Sequence, residues 1–143
     1  MSNYKPETIA IHGGYRPDGV NTRACAVPII QSASFVFKNT EHAANLFDLK
    51  EFGDIYTRLT NPTVAAWEQR MAELEGGTAA VGTSSGMSAI FLTIMTIARV
   101  GDHIISSASL YGGTDTLFRY TLPDIGITCD FVKNADPAKI KAA

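Results

Sequence analysis

A chain of 143 residues, 45% hydrophobic and 18% charged, is long enough to bury a core and too apolar to stay disordered. Its 12 basic and 14 acidic residues leave a net charge of −2, which argues against nucleic acid or an anionic membrane as a partner. Cys25 and Cys129 form neither a metal spacing nor a CxxC pair, and the N-terminus lacks a signal-peptide pattern, so a reduced, cytoplasmic setting is expected.

Residues 1–38 carry no sustained helical period. Pro6, Gly13, Gly14, Pro17, Gly19 and Pro28 punctuate them, so an extended arm is expected, with short extended pieces at Ile29, Ile30, Phe35, Val36 and Phe37. Thr40 to Leu49 reads as a helix capped by Thr40, with Ala43, Ala44, Leu46 and Phe47 on its apolar side. The next helix has firmer punctuation: Asn61 at the cap, Pro62 at the first helical position and Gly76-Gly77 at the end. Its stripe of Val64, Trp67, Met71 and Leu74 is expected in the core.

From there the pattern alternates. Thr78 to Gly82 is a predicted strand, and Ser85 to Arg99 a helix whose apolar run from Ser88 to Val100 is too short for a bilayer and reads as buried. Then follow a turn at Gly101-Asp102, a strand over His103 to Ser107, a helix over Gly113 to Thr121, a break at Pro123 to Gly126 and a strand over Ile127 to Val132. Strand–helix–strand–helix–strand with short links predicts a parallel α/β sheet with right-handed crossovers. Three strands would leave an open edge, and Asp136-Pro137 begins a helix just before the sequence stops, so the chain is expected to be part of something larger.

In such sheets ligands bind beyond the carboxyl ends of the strands, where Ser85-Gly86-Met87 and Tyr111 are expected. The amides of Gly86 and Met87 at a helix N-terminus suit a phosphate, although small residues also cap helices for structural reasons alone. Arg58 has the planar fork that pairs with a phosphate, and Tyr56 has a hydroxyl for the same anion; an isolated surface arginine is the plainer reading. Tyr111 precedes Gly112-Gly113 and offers a flat phenol that could stack on a cofactor ring, or else be a half-buried tyrosine bonded to a loop carbonyl. His12, His42 and His103 have no metal-ligand spacing, and Ser84 and Ser85 lack the flanking glycines of a nucleophile elbow.

Tyr56-Thr57-Arg58-Leu59-Thr60-Asn61-Pro62-Thr63, joined to Ser85-Gly86-Met87, to Tyr111-Gly112-Gly113-Thr114 and to Ile11-His12-Gly13-Gly14, resembles the Cys/Met-metabolism family of pyridoxal-phosphate enzymes over essentially the whole chain. Phe47 to Arg58 looks most like the O-acetylhomoserine sulfhydrylase branch. The resemblance implies an N-terminal arm plus part of a fold-type-I (aspartate-aminotransferase-like) α/β domain with a mainly parallel sheet. Residues 1–60 would form the arm and helix that contact a neighbouring subunit, and 61–143 the first part of the cofactor-binding domain. Gly86 and Met87 would hold the cofactor phosphate, and Tyr111 would stack on its ring and act as an acid–base group. Tyr56 and Arg58 would reach the phosphate of the neighbouring subunit in a homodimer, usually paired into a tetramer.

The implied reaction is γ-replacement, O-acetyl-L-homoserine plus sulfide giving L-homocysteine and acetate. Methionine γ-lyase and cystathionine enzymes are the alternatives within the family. One departure limits this reading: Lys5, Lys38, Lys50, Lys133, Lys139 and Lys141 all lack the Ser/Thr-rich setting of the family's Schiff-base lysine. The pyridine-holding aspartate and the substrate-carboxylate arginine are missing as well, so the chain by itself is expected to be inactive. A non-catalytic fragment or docking module is the rival from another class. A nucleotide-binding protein is weaker, because Gly82-Thr83-Ser84-Ser85-Gly86 has neither a Walker lysine nor the dinucleotide glycine spacing.

Overall fold

The computed structural model describes residues 4–17, 23–133 and 137–142. Packing divides the chain into two compact units, Met1–Gly82 and Thr83–Ala143. The sequence division falls earlier, at residue 60, because it follows motifs and not packing.

Among the described residues the first unit holds three helices: α1 (Pro6–His12), α2 (Thr40–Phe47) and α3 (Pro62–Glu75). The expected extended arm is corrected at its start. Pro6 opens α1, a position where a proline's missing N–H costs nothing because first-turn amides have no intrahelical acceptor. α1 packs on α3 through buried Ile9. The chain then passes so close that a β-carbon on Gly14, whose φ is +72°, would lie 2.1 Å from the Ala66 carbonyl oxygen. Arg70 Nε donates to the Gly13 carbonyl at 2.8 Å, fixing the turn. α2 is capped by Asn39, whose side chain accepts from the His42 amide, and not by Thr40.

α3 has the predicted punctuation. Asn61 accepts from Thr63 N, Pro62 leads, and Gly76 ends the helix in the left-handed conformation (φ +66°). Its stripe behaves differently from the expectation. Ala66 and Ala72 are the buried residues, whereas Trp67 is 50% exposed and Val64 and Leu74 are also exposed. Periodicity identifies an apolar face but not what covers it.

The second unit contains α4 (Gly86–Ile97), β1 (His103–Ser107), α5 (Gly112–Thr116), a π-helical turn (Leu117–Thr121) running into α6 (Leu122–Asp124), β2 (Thr128–Val132) and α7 (Pro137–Ala142). The Asp136 expected to start α7, like Gly19 of the arm, lies outside the described residues. β1 and β2 pair in parallel, with His103 opposite Thr128 and Ser107 opposite Val132. The strand expected over Thr78 to Gly82 does not form: among the described residues the sheet has two strands, and an extended segment without a ladder partner is not a strand.

Ala98, Leu117, Phe118, Leu122 and Ile127 form the core, with Met87, Ile90, Ile94, Ile104, Leu110, Cys129 and Phe131 packed around it. Leu122 and Ile127 are fully buried, each worth about 1.5–3 kcal/mol relative to exposure. α4 therefore turns Met87, Ile90 and Ile94 inward while Phe91, Leu92, Met95 and Ile97 stay exposed, so the helix expected to be buried is buried on one side only. The predicted helix over Gly113 to Thr121 is resolved into α5 and a π-helical turn, a local widening that has no composition signal. There Arg119 grips both Asp115 carboxylate oxygens at 2.8–2.9 Å and lies over the Phe131 ring at 3.9 Å. The hydrogen bond to Asp115 raises the guanidinium pKa above its ordinary value.

Candidate functional site

Ser85 caps α4, its Oγ accepting from Ser88 N at 3.1 Å while its carbonyl accepts from Ala89 N at 3.0 Å. That satisfies the third and fourth amides of the first turn. Helix geometry leaves the first two, those of Gly86 and Met87, without an intrahelical acceptor. A β-carbon on Gly86 would have nothing within 4 Å, so this position is not crowded by the fold. Hydroxyls crowd the same turn: Ser84 Oγ lies 3.2 Å and Ser85 Oγ 3.0 Å from Ser88 Oγ, and Thr83 Oγ1 donates to the Ser85 carbonyl at 2.9 Å. Two amides without an intrahelical acceptor, a helix dipole and neighbouring hydroxyls are features that suit an anion.

Tyr111 belongs to the same unit. It occupies the N-cap of α5, its carbonyl accepting from Thr114 N and Asp115 N at 2.9 and 3.0 Å. The residue is 76% exposed and its side chain makes no cap hydrogen bond, which disfavours the half-buried alternative. Buried Thr114 directs its Oγ1 at Met87 Sδ, 3.6 Å away, tying α5 to the first turn of α4. The sequence motif Tyr111-Gly112-Gly113-Thr114 includes Thr114 but gives it no role of its own.

Tyr56 and Arg58 belong to the first unit. Tyr56 pairs antiparallel with Ser34, flanked by Phe35 N→Ile55 O at 3.2 Å and Thr57 N→Ala33 O at 2.9 Å. Side chains lace the same strip: Thr57 Oγ1 donates to the Ser32 carbonyl, and Asn61 Nδ2 donates to the Ile30 carbonyl at 3.0 Å and to Thr57 Oγ1 at 3.1 Å. Thr63 Oγ1 donates to the Pro28 carbonyl at 2.8 Å and accepts from Ile30 N at 2.9 Å. On this scaffold the Arg58 guanidinium sits 5.9 Å from the Tyr56 ring centre, with both side chains exposed. Asn61, read as a cap only, is also the tether of this strip.

The remaining candidates serve structure. His42 Nδ1 accepts from Lys38 N at 3.1 Å, and His103 Nε2 faces Asp130 across the strands at 3.2 Å. A cavity of about 640 Å³ lies between α1 and α3, lined by residues such as His12, Gly13, Gly14, Arg16 and Glu73; of the motifs that carry the resemblance it holds part of Ile11-His12-Gly13-Gly14, and none of the candidate site residues. No helix among the described residues is long and apolar enough to cross a membrane.

Comparison with known proteins bears on this arrangement. The model of the Cys/Met metabolism PLP-dependent enzymes matches residues 7–143. An O-acetyl-L-homoserine sulfhydrylase of Leptospira meyeri is 53% identical over 99% of this chain and 32% of its own length. A homocysteine synthase of Schizosaccharomyces pombe is 48% identical over 95% of this chain, again 32% of its own. Among solved structures, an O-acetylhomoserine (thiol)-lyase assignment from Campylobacter jejuni, with N′-pyridoxyl-lysine-5′-monophosphate, superposes with a TM-score of 0.91 at 38% identity, covering 99% of this chain and 34% of that one. The cystathionine gamma-lyase of Lactobacillus plantarum gives 0.83 at 35% identity, covering 98% and 34%. The chain thus spans about a third of the length of the curated relatives it matches.

Proposed function

The chain belongs to the Cys/Met metabolism PLP-dependent enzymes, and from that premise we propose that it carries the cofactor-phosphate part of an O-acetylhomoserine sulfhydrylase. The reaction of the whole enzyme is γ-replacement, in which sulfide displaces acetate from O-acetyl-L-homoserine and leaves L-homocysteine. The names of the relatives near 50% identity support this class of transfer. The observation that supports the reading is the α4 N-terminus, where Ser85 caps the helix and the Gly86 and Met87 amides have no intrahelical acceptor, an arrangement suited to a phosphate monoester.

Bound pyridoxal phosphate supplies the electron sink that stabilises negative charge next to the substrate amine. The residues of this chain bind and orient. Gly86 and Met87 would donate to the cofactor phosphate, and Tyr111 would stack on the cofactor ring and serve as an acid–base group. Tyr56 and Arg58 would donate to the phosphate of a neighbouring subunit, so the site would be shared across a homodimer, with a dimer of dimers as the proposed working form. Held on one laced strip, the two side chains can address a single anion. Residues 1–60 then act as the arm toward that neighbour, 61–143 as the start of the cofactor domain, and the setting is the cytoplasm. The 143 residues alone do not turn over, because none of their six lysines lies in a Schiff-base context.

A cystathionine-type reaction is the second reading, supported by the likeness to cystathionine gamma-lyase. Intact-mass measurement, an absorption scan and a sulfide-dependent homocysteine assay on the purified material test the proposal. A longer co-purifying chain with a borohydride-reducible band and homocysteine formation supports it. Elimination products without sulfide incorporation favour the second reading, and a lone 15.4 kDa species that stays colourless with added pyridoxal phosphate sinks both for this chain.

A further inference from the structure

Gly112 and Gly113 are adjacent at the start of α5, and neither has a positive φ, so backbone conformation does not explain why either is glycine. Both positions are helical, where glycine is disfavoured relative to alanine. Their surroundings differ. A β-carbon on Gly112 would have nothing within 4 Å. One on Gly113 would lie 2.8 Å from Tyr111 Cε1 and 3.3 Å from Met87 Sδ, so the ring and the sulfur converge on the space a side chain would fill.

We infer that Gly113 is a positioning residue: its missing side chain lets the Tyr111 ring fold back beside Met87, which holds the phenol at the α4 N-terminus. Thr114 fixes the other party by bonding to Met87 Sδ, so the ring is referenced to the same turn that presents the Gly86 and Met87 amides. Tyr111 is mostly exposed and its side chain makes no cap hydrogen bond, so the vacant space at Gly113 is what leaves this orientation open to the ring. An added methyl is accommodated by swinging the ring away, with little effect on the fold and a direct effect on where the phenol stands. The inference rests on the proposed anion site for its function, but its geometry does not.

NMR on the 143-residue chain tests it. Wild type should show a strong NOE between a Gly113 α-proton and the Tyr111 ring, and a Met87 methyl resonance shifted by that ring. Gly112→Ala should keep both signals. Gly113→Ala should move the Met87 methyl to the position it takes in Tyr111→Leu. In the Tyr111→Leu background, Gly113→Ala should have no further effect, a rescue that also covers failure of the single variant to fold. Absence of the NOE in wild type, an unmoved Met87 methyl in Gly113→Ala, or independent effects of the two substitutions would overturn the inference.

Titration with inorganic phosphate separates the underlying reading. Gly86 and Met87 amides should respond equally in wild type and Gly113→Ala. Pyridoxine 5′-phosphate should bind Gly113→Ala roughly 2- to 10-fold more weakly through the lost ring contact. Silence of both amides toward phosphate refutes the anion site and leaves the NMR comparison to decide Gly113. A phosphate response with the ring still in place in Gly113→Ala refutes Gly113 alone.

Discussion

Asn61 is the joint of the strip that carries Tyr56 and Arg58, and its two functions can be separated by substitution. Its Oδ1 caps α3 by accepting from Thr63 N at 2.9 Å, and its Nδ2 donates at 3.0 Å to the Ile30 carbonyl and at 3.1 Å to Thr57 Oγ1. The residue is buried, so water does not readily replace these bonds. Asn61→Ala removes the cap, worth about 1 kcal/mol. It also leaves the Ile30 carbonyl short of a donor, at about 1–3 kcal/mol. The combined loss should be roughly 2–4 kcal/mol, read by urea denaturation with hydrogen exchange at Thr57 as a local probe. Asn61→Asp retains the capping oxygen and loses only the donors. The single proton of Thr57 Oγ1 goes to the Ser32 carbonyl, so toward position 61 this hydroxyl can only accept. The aspartate variant should therefore lose stability despite an intact cap, with faster exchange at Thr57. Wild-type stability in Asn61→Asp, together with a loss of only the cap in Asn61→Ala, would refute the tether.

Three further outcomes follow from the geometry. Gly14→Ala combines a positive φ with a β-carbon 2.1 Å from the Ala66 carbonyl, whereas Gly76→Ala meets nothing within 4 Å. The second should cost about 1–2 kcal/mol for the left-handed backbone alone, and the first distinctly more, as measured by chemical denaturation. Burial, and after it the Asp130 charge, raises the Cys129 thiol pKa, so folding favours the neutral thiol. Stability from that shift is complete below the unfolded thiol pKa and is lost as pH rises through the higher folded value; Cys129→Ala should flatten this alkaline decline in melting temperature. With a thiol reagent, exposed Cys25 should be modified before the partly buried Cys129, and mapping the first adduct by mass spectrometry checks the order.

What was legible in the sequence was local. Asn61, Pro62 and Gly76 delimit α3, and Ser85 starts α4, because capping depends on residues next to one another. His103–Ser107 and Thr128–Val132 are strands because their alternation and turn signals match a parallel pair. Of the motif residues, Gly86, Met87 and Tyr111 fall in one unit and Tyr56 and Arg58 in the other. Properties that depend on distant partners were not legible. Thr78 to Gly82 has strand composition but no ladder, and the Val64, Trp67, Met71 and Leu74 stripe has periodicity but little cover. Pro6 was read as a breaker although it opens α1, since the same residue serves both purposes. The vacant space at Gly113 depends on where the Tyr111 ring and Met87 Sδ lie in three dimensions, which no spacing encodes.

The phosphate grip at the α4 N-terminus is tested most directly by following the backbone amides of the wild-type chain during titration with pyridoxine 5′-phosphate and, in parallel, with pyridoxine. Neither compound carries the aldehyde that would label surface lysines. Saturable shifts centred on Gly86 and Met87 with the phosphorylated compound, and none with the other, are the predicted result. Equal responses to both compounds, or shifts centred on the α1–α3 cavity with Gly86 and Met87 unmoved, would contradict it.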